Sequence, residues 1–137
     1  MSITYSINRP ISRQQFVDLL KETTLGERRP IENNECIQGM LDNANLTVTA
    51  WLDERLVGIA RSVTDFHYCC YLSDLAVSES VQARGIGKEL IRQTFGALTS
   101  GCKIILLSAP QAEGYYPKIG FTKHNSAWLM SNPKELI

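Results

Sequence analysis

The stretch Gln82-Ala83-Arg84-Gly85-Ile86-Gly87 decides how the rest of the chain reads. Before it run the apolar, strand-like Leu72-Ser73-Asp74-Leu75-Ala76-Val77 and the polar turn Ser78-Glu79-Ser80. After it, Ile86, Leu90, Ile91, Thr94, Phe95 and Leu98 recur at helical spacing. The order is therefore strand, glycine-containing loop, helix. The first amides of a helix have no intrahelical partner, and the helix dipole is positive at that end. Together they make a site for phosphate. Gly85 and Gly87 have no Cβ, so a ligand can come close to the backbone, and Arg84 adds a positive charge beside it.

Spacing excludes two familiar phosphate loops. A P-loop needs glycine five residues before its Gly-Lys pair and Ser or Thr after it. Here Gln82 and Glu89 hold those places. A dinucleotide fingerprint needs a third glycine where this chain has Leu90. What remains is Gln-x-x-Gly-x-Gly after a strand ending Asp-Leu-Ala-Val. Downstream lies Tyr115-Tyr116-Pro117-Lys118-Ile119-Gly120-Phe121, an aromatic-Tyr-x-Lys-x-Gly-Phe segment. In this order, with a helix and a strand between them, the two segments resemble the GNAT superfamily of acyl-CoA-dependent N-acyltransferases. The resemblance covers the whole chain in layout and is specific from about Leu72 to Phe121.

The length of 137 residues suits one domain with its own core, spanning residues 1–137. Fourteen Lys and Arg balance fourteen Asp and Glu. A neutral chain argues against a nucleic-acid binder, which carries a basic excess, and offers no polybasic membrane patch. No apolar run approaches the roughly 20 residues of a membrane span. The start, Met-Ser-Ile-Thr-Tyr-Ser, has no basic n-region or apolar h-region. A cytoplasmic protein is expected. Cys36, Cys69, Cys70 and Cys102 form no Cys-x-x-Cys pair, and with only His67 and His124 there is no metal-ligand spacing. They read as small buried hydrophobes in a reducing compartment.

Along the chain, Ile3 to Ile7 reads as a first strand. Ser12 and Gln15 make a capping box for a helix burying Phe16, Leu19 and Leu20. A second helix is expected from about Asn33 to Asn43, burying Cys36, Ile37, Met40 and Leu41. Leu46 to Leu52 and Leu56 to Val63 form a hairpin, and Tyr68 to Val77 feeds the loop. The unbroken run Ile104 to Leu107 predicts a strand buried on both faces. A helix over Ala109 to Ile119 and a closing pair of strands, Phe121 to His124 and Ala127 to Met130, complete the list. The fold class is α/β (α+β): a mixed, largely antiparallel sheet with helices on both faces, in the order of the resembled family.

The resemblance implies a reaction: transfer of an acetyl group from acetyl-CoA, as co-substrate, to an amine on a small molecule or protein. The backbone amides around Ile86, Gly87 and Lys88 would hold the pyrophosphate, with Gln82, Arg84 and Gly85 beside them. The main chain at Leu75 and Val77 would pair with the peptide-like pantetheine arm as an added strand does. Tyr116 matches the tyrosine that protonates the leaving thiolate. The family's strand carboxylate would fall at Tyr71. Asp74 is the nearby carboxylate and the candidate base, but alternation along a regular strand would face it away from Tyr71. Arg29, Glu32, Trp51 and Tyr71 are candidates for lining the acceptor site, with no motif behind any of them. Pairing through the last strands would make a homodimer. The alternative function is a CoA-binding sensor without turnover.

Overall fold

A computed structural model describes residues 2–137. Five strands form one sheet in the order β1-β2-β3-β4-β5: β1 (Ile3–Ile7), β2 (Leu46–Leu52), β3 (Arg55–Thr64), β4 (Cys69–Val77) and β5 (Lys103–Ile105). The first four pair antiparallel and β5 joins β4 in parallel. Helices α1 (Arg13–Lys21) and α2 (Asn34–Asn43) cover one face. Helix α3 (Ile86–Gly96) covers the other, and the single-turn α4 (Tyr115–Lys118) follows β5.

Each face of the sheet is claimed by alternate residues, as the period of two requires. Trp51, Leu56, Ile59 and Ala76 pack with Phe16, Leu19 and Leu20 of α1 and Ile37 of α2. Val48, Ala50, Val57, Ala60 and Leu72 pack with Ile86, Leu90 and Ile91 of α3. The capping box at α1 forms in both directions, and Asn33 caps α2. The β3–β4 turn is held by Asp65, whose Oδ1 accepts from the amides of His67, Tyr68 and Cys69. Those three bonds stabilise the charged carboxylate and lower its pKa to about 2.

Several expectations are corrected. Cys36 and Cys69 are exposed; only Cys70 and Cys102 are buried. The run Ile104 to Leu107 is not buried on both faces, since Ile105 and Leu107 are half exposed. The strand there stops at Ile105 and has a neighbour on one side only, so no strand among the described residues covers its outer residues. The expected helix over Ala109 to Ile119 divides into a 3-10 turn, Pro110–Ala112, and α4. Gly114 separates the two, and Pro117 lacks the N–H a longer helix would use. Neither Phe121 to His124 nor Ala127 to Met130 forms a strand. A β5 of three residues offers them no ladder to extend, and Trp128 and Leu129 stay in solvent.

Candidate functional site

Strand β4 is longer than its neighbour on one side. β5 pairs only with Cys69, Cys70 and Tyr71, while β3 accompanies β4 to Val77. From Leu72 to Val77 the β5 side of β4 therefore has no strand partner among the described residues. A cavity of about 530 Å³ opens there. That volume is within the range of small-molecule sites, roughly 300–1,000 Å³. Its walls are Leu75 and Val77 of β4, the loop after it, Leu106 and Leu107 beyond β5, and both tyrosines of α4. A free strand edge beside a cavity can take a peptide-like ligand as an added strand.

The loop closes one end. Gly85 is the N-cap of α3 at φ 72°, in the left-handed region that L side chains disfavour. Unlike α1 and α2, this helix has no side-chain cap. Its first backbone bond runs from Glu89 N to Gly85 O, which leaves the amides of Ile86, Gly87 and Lys88 without acceptors among the described residues. Gln82 lines the cavity, and its Nε2 donates to the Val77 carbonyl at 3.2 Å, tying the loop to the end of β4. Leu75, Val77, Gly85, Ile86 and Gly87 also line the cavity; Arg84 and Lys88 are exposed and their side chains are not in its wall. Gly87 faces Tyr115: a Cβ there would lie 2.9 Å from the Tyr115 hydroxyl.

Tyr116 is wedged edge-on between Tyr115 and Phe121, at ring-centroid distances of 5.3 and 5.4 Å. Burial raises its pKa above the ordinary tyrosine value, and the neighbouring Tyr115 adds to the rise. The phenol is thus neutral, a hydrogen-bond donor in the cavity wall.

Asp74 has another environment. The β3–β4 ladder goes from Arg61↔Asp74 to Ser62↔Leu72, so Ser73 is an extra, bulged residue. The bulge reverses the alternation. Leu72 packs on the α3 face and Ala76 on the α1–α2 face, so Asp74 points to the same face as Tyr71, correcting the expectation from regular alternation. Its carboxylate is fully buried and takes one guanidinium on each oxygen: Arg29 Nε and Arg61 Nε, both at 2.5 Å. Ser73 reinforces the arrangement. Its carbonyl accepts from Arg29 Nη2 and its hydroxyl from Arg61 Nη2. Asp74 is not in the cavity wall; Arg29 is. Of the other acceptor-site candidates, Trp51 is buried under the Arg9 guanidinium, while Glu32 and Tyr71 are exposed and outside the wall. Sequence reasoning passed over Arg61. The signal was there: Arg61 and Asp74 are opposite charges, each lodged in an apolar segment, on strands expected to be neighbours.

Residues 14–131 match the family model described as an acetyltransferase (GNAT) domain. The chain belongs to the GNAT acetyltransferase family. Acyl transfer from an acyl-CoA is the chemistry of this GNAT domain. Solved structures agree on the fold. A GNAT-family acetyltransferase from Streptococcus pneumoniae superposes with a TM-score of 0.75 at 21% identity, over 96% of this chain and 100% of that one. An acetyltransferase from Trypanosoma brucei gives 0.70 at 24%, over 96% and 100%. An aminoglycoside N-acetyltransferase solved with CoA gives 0.72 at 16%, over 96% and 95%. A search of curated proteins finds no sequence match.

Proposed function

We propose that this GNAT domain moves an acetyl group from acetyl-CoA to a primary amine, and that the cavity between β4 and α4 is where it does so. The observation that carries the reading is continuity. One cavity joins an unpartnered strand edge, an uncapped helix N-terminus and a neutral, half-buried tyrosine. The uncapped amides of Ile86, Gly87 and Lys88 take the pyrophosphate, with Gln82 holding the loop and Arg84 contributing charge from its outer side. The main chain at Leu75 and Val77 takes the pantetheine arm. The thioester then lies along β4 near Tyr116.

The amine attacks the thioester carbonyl carbon, forming the C–N bond. The C–S bond breaks, its electron pair goes to sulfur, and Tyr116 gives sulfur its proton. An ammonium acceptor sheds two protons in all. One regenerates Tyr116 and the other leaves through water. Asp74 is committed to two guanidiniums, so its part is to hold Arg29, and water carries the amine's protons. Acetyl-CoA binding with thiol release over an amine panel tests the reading. Tight CoA binding with no thiol release for any amine would favour a CoA sensor. We further propose a cytoplasmic homodimer. Ile105, Leu107, Trp128 and Leu129 leave apolar surface exposed, which a second copy can cover. A monomeric mass by light scattering at high concentration rejects this part.

A further inference from the structure

We infer that the acceptor is an amine bearing a carboxylate, and that Arg29 is the residue that selects it. The inference rests on the function proposed above. The cavity's two ends differ. At one are the helix amides. At the other, Arg29 bonds the Ser73 carbonyl, four residues and about 13 Å back along β4 from Val77. A thioester laid along β4 from the loop brings its acyl end toward Arg29, where the acceptor enters.

Arg29 is the only charged side chain in the cavity wall among the described residues. Neither Asp nor Glu lines it. Behind it, two guanidiniums share the single carboxylate of Asp74, which leaves one net positive charge at this end. A polycationic acceptor, whether polyamine or aminoglycoside, would meet that charge with no carboxylate in the wall to offset it. A carboxylate would complete it.

The geometry also fits. A guanidinium has five N–H groups. Arg29 uses three: Nε to Asp74, Nη1 to the Arg28 carbonyl and Nη2 to the Ser73 carbonyl. One N–H remains on each terminal nitrogen. A carboxylate offers two oxygens to such a pair of guanidinium N–H groups. The three bonds also fix the side chain before substrate arrives, so little rotamer freedom is lost on binding. Apart from Arg29 the wall is uncharged, mixing apolar residues such as Leu25, Leu72, Leu106 and Ala109 with Thr23, Thr24 and Ser73, which suits a small acceptor with an uncharged body.

The test compares matched acceptors with acetyl-CoA and the intact chain. Free amino acids are set against their primary amides, with spermidine, an aminoglycoside and phosphoethanolamine alongside, and thiol release is followed. The expected result is a kcat/KM for the acid about 10- to 100-fold above its amide, the span of a charge-assisted hydrogen bond. Arg29→Gln should bring that acid-to-amide ratio close to one. Arg29→Lys keeps the charge, loses the fork and should fall between. CoA affinity should be the same in all three proteins. Amides or polycations outrunning the acids in wild type would overturn the inference while leaving acetyl transfer intact. So would phosphoethanolamine outrunning them, or an Arg29→Gln defect confined to CoA affinity. Thiol release with none of these amines, despite CoA binding, would overturn the transferase reading itself. Because wild type alone decides the acid-to-amide comparison, an unstable variant does not block the test.

Discussion

Replacing Asp74 by alanine tests whether this carboxylate works as a base or as a counter-charge. In the structure it is fully buried and each oxygen is 2.5 Å from a guanidinium. Its removal strands Arg61, itself 5% exposed, with neutral partners only: the Met40 carbonyl and the Ser73 hydroxyl. Breaking a buried ion pair from one side costs about 3–5 kcal/mol. Arg29 keeps a fifth of its side-chain surface and can relax toward solvent, so the loss belongs mainly to Arg61. At ~2.1 cal/mol/K per residue, unfolding 137 residues carries about 290 cal/mol/K. The expected fall in Tm is therefore about 10–17 °C. Urea unfolding followed by circular dichroism should show the midpoint falling with the slope unchanged. A companion chain with Asp74→Leu and Arg61→Met removes both members of the more buried pair. It should lose much less than the sum of the single changes, because the stranded charge goes too. If Asp74→Ala kept the wild-type midpoint while kcat fell a thousandfold, the carboxylate would be free for chemistry and the counter-charge account would be wrong.

Four other outcomes follow from the same structure. Tyr116→Phe keeps the ring between Tyr115 and Phe121 and removes the hydroxyl; kcat should drop at least about tenfold with acetyl-CoA affinity unchanged, and wild-type turnover with chemistry rate-limiting would remove Tyr116 from the mechanism. At Gly85 a Cβ meets nothing within 4 Å but φ is +72°, so Gly85→Ala should cost about 1–2 kcal/mol of stability from backbone strain. Gly87→Val instead drives into the Tyr115 hydroxyl and should abolish acetyl-CoA binding at an unchanged unfolding midpoint; tight CoA binding by the folded variant refutes the loop assignment. Asp65 has a folded pKa of about 2, below its ordinary 3.8, so its stabilisation is complete above pH 3.8 and lost as the pH falls through 2. Asp65→Asn should remove that part of the acid dependence, seen as a smaller drop in urea midpoint between pH 5 and pH 2.

The parts of the fold governed by local rules were readable from the chain. The capping box at Ser12 and Gln15, the strand before the loop and the α3 repeat all depend on neighbours within a few residues. The C-terminal third was not readable in the same way. Ile104 to Leu107 looks like a central strand because its residues are apolar, yet apolarity does not say which strand, or which chain, will cover them. The candidate site divides similarly. The glycine positions and Tyr116 carry motifs. The environment of Asp74 depends on one bulged residue, and a bulge leaves no periodic trace in a segment of nine.

That bulge has a consequence for insertions and deletions in this chain. Ser73 is supernumerary to the ladder. With it removed, Arg61↔Asp74 and Ser62↔Leu72 become consecutive steps of a regular hairpin, and every core residue of β4 keeps its face. The sheet can therefore be built from a chain one residue shorter. What the shorter chain gives up is the carbonyl and hydroxyl that hold Arg29 and Arg61. Here a single codon separates a chain that builds the sheet from a chain that also fixes Arg29 in the cavity wall.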